Sequence, residues 1–218
     1  LDECDRLLDM GFLPDAKRII KTMPKKRQSL LFSATIPEEV KKFSREILSK
    51  PDRIDIAPKN IAAPKINQYF YKVTASQKPP ALRTLLKFPE VRRAIVFTRA
   101  KHRANKVSRM LNNTGFLVEV IHGNKSQNAR QGALSNFKEG KAWILVATGV
   151  AARGIDVDGV THVINYELSN EPEHYIHRIG RTGRAGATGV AWTLIDGSEG
   201  KTLKAVERLV KKPIQEIE

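Results

Sequence analysis

The chain has 218 residues, 41% of them apolar, which is enough for a buried core and too many for a disordered tail. A formal net charge of +15 points to an anionic partner, nucleic acid first and an acidic membrane surface second. No apolar run is long enough to span a bilayer, and the single cysteine, Cys4, excludes an internal disulfide framework and a cysteine-rich zinc site. A reducing, intracellular setting fits that cysteine usage, no signal peptide is visible, and a cytoplasmic protein is expected. The chain opens without methionine, inside what reads as a motif, so it is expected to be a fragment of something longer.

In chain order, short β-rich apolar runs alternate with helical patterns. The first half is expected to hold strand Ser29–Phe32, helix Glu38–Leu48, strand Asn67–Val73, helix Pro80–Leu86, strand Ala94–Thr98 and helix His102–Asn112. Strand Leu117–Ile121, helix Gln127–Phe137, strands Trp143–Ala147 and His162–Tyr166, helix Glu171–Ile179, strand Val190–Ile195 and helix Lys201–Val210 follow. Such alternation implies an α/β fold whose mainly parallel sheet is covered by helices on both faces. The segment from Ala57 to Pro64 has two prolines and no periodicity, and reads as a linker. The expected division is residues 1–56, a linker at 57–66, and an α/β domain at 67–218.

The densest chemistry is His177-Arg178-Ile179-Gly180-Arg181-Thr182-Gly183-Arg184, with three arginines and two glycines in eight residues. Arg178, Arg181 and Arg184 recur at near-helical spacing, which places them near one face of a turn. Crowded guanidiniums repel one another and are best explained by phosphates or carboxylates. A solvated basic helix end would more naturally use lysines.

Other motifs are locally ambiguous. Asp2 and Glu3 suit magnesium and an activated water, or else an acidic helix start that complements the dipole. Ser33-Ala34-Thr35 either caps the following helix or pairs with neighbouring carboxylates. Ala147–Asp156, after a strand, sets small residues, Gly154 and Asp156 at the ligand edge of an open sheet. His122–Gln127 opens a helix as an anion site or as an ordinary cap by Ser126. Phe97-Thr98-Arg99 ends a further strand at the same expected edge, where the arginine cluster is also expected. Gly200-Lys201-Thr202 mimics a phosphate loop, but that loop needs glycine where Ile195 stands, and no complete one occurs in the chain.

Together, in this order, these motifs resemble the DEAD-box RNA helicases of superfamily 2. Asp2–Asp5 is similar to motif II, Ser33–Thr35 to motif III, Ile95–Ala100 to motif IV, Ala147–Asp156 to motif V and His177–Arg184 to motif VI. The run Ile121–Gln127 looks closest to the RhlE-like subgroup. The resemblance implies a complete second RecA-like domain preceded by part of the first, with ATP, Mg2+ and RNA bound between them. It gives Asp2 magnesium through water, Glu3 the attacking water, and Arg181 and Arg184 the γ-phosphate. Asp5, Ser33, Thr35, His177 and Arg178 couple the domains, and Gly154 and Asp156 bind nucleotide. Thr98, Arg99, Gly123, Gln127, Arg130 and Thr148 grip RNA through its backbone, independently of base sequence.

Two departures stand out against that family: Cys4 replaces the usual alanine of motif II, and Gly149 replaces the common aspartate after Thr148, so coupling between RNA and ATP is in question. The implied function is the carboxyl-terminal part of an ATP-dependent RNA helicase, inactive in ATP hydrolysis by itself. The rivals are a stand-alone basic RNA-binding or partner-binding module and a DNA-translocating relative. Residues 1–56 are expected to need cover for their apolar faces, and self-association through them is possible.

Overall fold

The protein, a computed structural model, is described for residues 1–9, 11–33, 35–55, 66–149, 151–152, 157–184 and 186–217. The chain divides into two compact units, Leu1–Pro58 and Lys59–Glu218. The expected linker falls outside the described residues except for Ile66, which opens a strand.

The first unit contains helices α1 (Cys4–Asp9), α2 (Leu13–Thr22) and α3 (Glu38–Ile47). Proline in the first turn suits the start of α2, because the missing N–H has no intrahelical partner there. Glu38 and Glu39 favour the positive end of the α3 dipole. The helices bury Cys4, Leu8, Ala16, Val40 and Phe43 in a small core. Ser29–Phe32 is not a strand, contrary to expectation. A strand needs neighbours for its ladder, and this segment has only the chain start alongside it. Phe32 N–H donates to Leu1 O at 2.9 Å and Cys4 N–H to Phe32 O at 3.0 Å, while the Leu30 and Phe32 side chains remain largely exposed.

The second unit is the expected α/β layer structure. Its elements are β1 (Ile66–Lys72), α4 (Lys78–Leu85), β2 (Ala94–Thr98), α5 (Lys101–Asn112), β3 (Val118–Ile121), α6 (Gln127–Lys138) and β4 (Ile144–Thr148). They continue with β5 (His162–Asn165), α7 (Glu173–Ile179), β6 (Gly189–Ile195), α8 (Gly200–Val210) and the short β7 (Gln215–Glu216). All pairings are parallel, in the order β3-β4-β2-β5-β6-β1-β7. Strands β4, β2 and β5, each flanked on both sides, are buried throughout, which explains their continuous apolar sequence.

Alternate strand residues supply two cores. Ile95, Phe97, Leu145 and Val163 meet Phe137 of α6, Tyr175 of α7 and Val206 of α8. Ala94, Val96, Val146 and Ile164 meet Leu82 of α4 and Val107 of α5. Removing a fully buried ring such as Phe137 would cost about 3–5 kcal/mol. The chain steps from β4 to β5 across β2, so the carboxyl ends of β4, β2 and β5 form the switch point where such sheets bind ligands.

Candidate functional site

In the first unit, the motif residues are knitted together by hydrogen bonds. Asp5, 4% exposed in the first turn of α1, accepts through Oδ2 from Thr35 N–H at 2.9 Å and from Thr35 Oγ1 at 2.7 Å. Asp5 N–H donates to Ser33 Oγ at 3.0 Å, and Ser33 Oγ donates to Thr35 O at 2.6 Å. Thr35 adopts carboxylate pairing, whereas Ser33 bonds backbone groups; Pro37 precedes α3 without a side-chain cap. Asp2 is exposed, with Oδ1 taking Glu3 N–H at 2.8 Å. Glu3 has φ 48°, a left-handed conformation that only a minority of non-glycine residues adopt.

No cluster of three or more His, Cys, Asp or Glu side chains able to hold a metal occurs among the described residues. One exposed carboxylate fits magnesium held through water beside phosphate oxygens, and does not fit an all-protein cage.

In the second unit, the carboxyl rim gathers the candidates for RNA. Thr98 and Thr148 are register partners at the ends of β2 and β4. Both are buried, and Thr98 Oγ1 donates to Ala100 O at 3.3 Å, so Thr98 lies beneath the surface. Arg99 is exposed; its N–H donates to Glu167 Oε2 at 3.0 Å and its Nη1 reaches Asn170 Oδ1 at 3.5 Å. Gly123 and Gln127 are exposed at the turn into α6, where Gln127 Oε1 accepts from Arg130 Nη1 at 3.3 Å. Ser126 does cap α6, its Oγ accepting from Ala129 N–H at 3.3 Å. His122, behind this turn, accepts from Asn124 N–H through Nδ1 at 3.3 Å, so its Nε2–H faces Asn105 Oδ1 at 2.9 Å. Burial, then Lys125 and Lys101, hold its pKa below the usual histidine value and favour this neutral ring.

The three arginines of the eight-residue motif do not share a face, and Arg178 alone of the three lies near the carboxyl rim. Arg178, on α7, is 4% exposed and lies under that rim. Its Nη1 donates to Asn165 Oδ1 at 3.2 Å and to Glu167 O at 2.7 Å, with the guanidinium 5.2 Å from the Phe97 ring centre. Burial pushes its pKa down to about 10, against the opposing pull of Glu167, so it stays charged at neutral pH. The helix then ends at Gly180, and Gly183 has φ 69°. A Cβ on Gly183 would lie 2.9 Å from Ile66 Cγ1, and Thr182 Oγ1 donates to Thr161 O at 3.1 Å.

Ile66 opens β1 and Thr161 precedes β5, so the turn carrying Arg181 and Arg184 lies at the amino ends of the strands. The cause is topological: a parallel crossover must return the chain to that end before β6 begins. Arg181 and Arg184 are half-buried, each Nε donating to the carbonyl four residues earlier, at His177 (3.2 Å) and Gly180 (2.9 Å). His177 is half-buried on the last turn of α7. Gly154 and Asp156 lie outside the described residues.

Sequence reading missed Glu167, Glu199 and Lys78, all of which are buried polar residues at the carboxyl rim. Glu167 alone carried a local signal, a carboxylate directly after an apolar strand. The partners of Glu199 and Lys78 are distant in sequence.

A parallel sheet with helices on both faces and motif residues at both ends of α7 defines a RecA-like helicase domain. Residues 77–186 match the helicase conserved C-terminal domain family, half of the chain, and residues 1–43 match the DEAD/DEAH box helicase family. The chain belongs to the DEAD-box helicases. It is 45% identical over its whole length to the ATP-dependent RNA helicase CshA of Listeria monocytogenes, covering 42% of that protein. The DEAD-box ATP-dependent RNA helicase CshA of Geobacillus kaustophilus is 43% identical over 99% of the chain, which covers 46% of that relative. The chain therefore spans less than half the length of these relatives. Among solved structures, S. cerevisiae Dbp5 bound to RNA and ADP BeF3 matches with TM-score 0.89 at 30% identity, covering 100% of this chain and 58% of that one. These bacterial relatives carry the CshA name, and the RhlE-like subgroup expected from Ile121–Gln127 draws no support from them.

Proposed function

We propose that the chain forms the carboxyl-terminal part of an ATP-dependent RNA helicase that couples ATP hydrolysis to local strand separation. The observation that carries this reading is the course of one short helix. Arg178 packs beneath the rim bearing Arg99 and Thr148, and within six residues the chain reaches Arg184 at the opposite end of the sheet. In this reading, one continuous segment joins the rim that faces RNA to the turn that faces nucleotide.

In this reading Arg99, Gly123, Gln127, Arg130 and Thr148 hold RNA phosphates and sugars, with Thr98 supporting them from below. Arg181 and Arg184 stabilise the γ-phosphate, and Gly154 and Asp156 bind the nucleotide. Asp2 holds Mg2+ through water and Glu3 directs the attacking water, chemistry in which positioning and charge supply most of the rate. Asp5, Ser33, Thr35, His177 and Arg178 link the two events. A cytoplasmic location and self-association of the isolated chain through Leu30 and Phe32 are part of the proposal, and light scattering that finds only monomers removes the latter.

The test is RNA-stimulated ATP hydrolysis by the longer protein, with single-stranded DNA as the competing activator. RNA-dependent turnover is expected there and none from the 218-residue chain, which has no phosphate loop. Turnover by this chain alone, or equal activation by DNA, refutes the assignment.

A further inference from the structure

Glu199 stands directly before the decoy Gly200-Lys201-Thr202, at the start of α8, yet its side chain does not cap that helix. It is 3% exposed and faces the carboxyl rim, where three hydrogen-bond donors and a guanidinium in ion-pair range converge on it. Leu168 N–H donates to Oε1 at 2.9 Å and Asp196 N–H to Oε2 at 3.2 Å. Lys78 Nζ binds Oε2, and Arg99 Nη2 lies 3.7 Å from Oε1. Lys78, also 3% exposed, opens α4 in the other helical layer and reaches Asp196 Oδ2 at 3.0 Å. One carboxylate thus clasps both helical layers, the loop after β5 and the arginine at the end of β2.

Stability alone does not call for this arrangement. A buried ion pair is commonly matched or bettered by apolar side chains of similar volume, because desolvating the charges offsets their attraction. Arg99 is the clasp's one strongly exposed member, its side chain 46% accessible. Its backbone N–H is held by Glu167, and its head is approached from inside by Asn170 at 3.5 Å and Glu199 at 3.7 Å, with its outer side open to solvent. An arginine ordered in advance loses less rotamer freedom when it binds phosphate.

We propose that Glu199, neutralised by Lys78, is a positioning residue that holds the Arg99 guanidinium ready for an RNA phosphate at the carboxyl rim. This rests on the RNA reading of Arg99 given above. Glu199 touches no substrate and acts through Arg99.

The experiment measures binding of a fluorescent oligo-uridine to the full 218-residue chain by anisotropy across a salt series, for Arg99→Ala, Glu199→Gln, Glu199→Asp and the double variant R99A/E199Q. Arg99→Ala is expected to weaken binding and to flatten the salt dependence by about 0.7 in log–log slope, the share of one phosphate contact on a single strand. Glu199→Gln is expected to weaken binding roughly 3–10-fold, the size expected for an arginine no longer pre-ordered, and to add nothing in the Arg99→Ala background. Glu199→Asp keeps the charge for Lys78 but withdraws it from Arg99, so it gives the same loss even if Glu199→Gln fails to fold. If Arg99→Ala weakens binding and both Glu199 variants leave it unchanged or tighten it, the positioning role is overturned. If Arg99→Ala itself changes nothing, the RNA reading of Arg99 falls and the proposal falls with it. A Glu199 effect that persists undiminished in the double variant marks a structural role instead and also overturns it.

Discussion

Gly149→Asp is expected to stabilise the second unit. The buried Arg178 guanidinium spends Nη1 on Asn165 and Glu167, but its buried Nε has no hydrogen-bond partner among the described residues. A Cβ on Gly149 would lie 3.7 Å from that Nε and 3.8 Å from Nη2, ordinary contact distances, and Gly149 is not among the positive-φ glycines. A side chain at 149 therefore lies beside these nitrogens without backbone strain, and its carboxylate has one of them in reach. A buried donor left unpaired costs about 1–3 kcal/mol, part of which the new carboxylate's own desolvation offsets. Gly149→Ala is the control, because any side chain at this position gains about 0.4–1 kcal/mol by restricting the unfolded chain.

A net advantage of about 1–2 kcal/mol for Asp over Ala follows, or roughly 2–8 °C in Tm for a unit of this size. Trp143 and Trp192, the only tryptophans, both lie in the second unit, so tryptophan fluorescence during thermal unfolding reports it alone. A carboxylate paired with a guanidinium has a lowered folded-state pKa. Its contribution is complete above the unfolded value near 4 and disappears as pH falls through the folded value. If Gly149→Asp melts below Gly149→Ala at neutral pH, the Arg178 argument is wrong.

His162, buried against Trp192 with ring centres 4.4 Å apart, has its pKa pushed down to about 4 by burial. Between about pH 4 and 6.5 the unfolded chain binds the extra proton, so stability should rise with pH across that window by up to ~3 kcal/mol. His162→Phe should flatten the slope, and an unchanged slope would show another group responsible. Thr35→Ala removes the 2.7 Å hydroxyl bond to buried Asp5 and should loosen the first unit by about 1–2 kcal/mol, read as faster hydrogen exchange in residues 4–9. Unaltered exchange would rule that bond out as a support. Arg184→Ala in the longer protein should lower kcat for RNA-stimulated ATP hydrolysis by about 10³-fold or more while leaving RNA affinity within a factor of two. An equal loss in RNA affinity would contradict the separation of the two rims.

Strand positions in the second unit were legible because central parallel strands bury both faces and read as unbroken apolar runs; Ala94–Thr98 has the same bounds in sequence and structure. The run Ser29–Phe32 has the same texture, but periodicity says nothing about whether neighbouring strands exist. The short α1 and the two-residue β7 fall below the length at which a pattern emerges. Helix α2 offered Pro14 in its first turn and Leu13, Ala16 and Ile20 at helical spacing, a signal that the early motif overshadowed. The arginine cluster misled for a definite reason. Spacing of three suggested one helical face, but Gly180 ends the helix and Gly183 takes a positive φ, so Arg178 goes inward while the other two leave with the turn. Glu199 was invisible locally because its partners, Lys78 and Leu168, lie 121 and 31 residues away and meet it only through the crossing connections.

The course of α7 separates two tasks that the motif pattern alone had merged. Arg178 binds Asn165, the last residue of β5, whereas Thr182, four positions later, binds the carbonyl of Thr161, just before β5 starts. This segment thus spans the strand from end to end, roughly 13 Å at about 3.3 Å per residue. Under the proposed function, a shift of the carboxyl rim on RNA binding would pull on Glu167 and Asn165, both tied to Arg178 by hydrogen bonds. The end of α7 and the turn after it would, in that function, carry the shift to Arg181 and Arg184. Gly149 bears on the same joint: it leaves Arg178 one partner short, so a carboxylate there should tighten the joint and strengthen the coupling together with the fold.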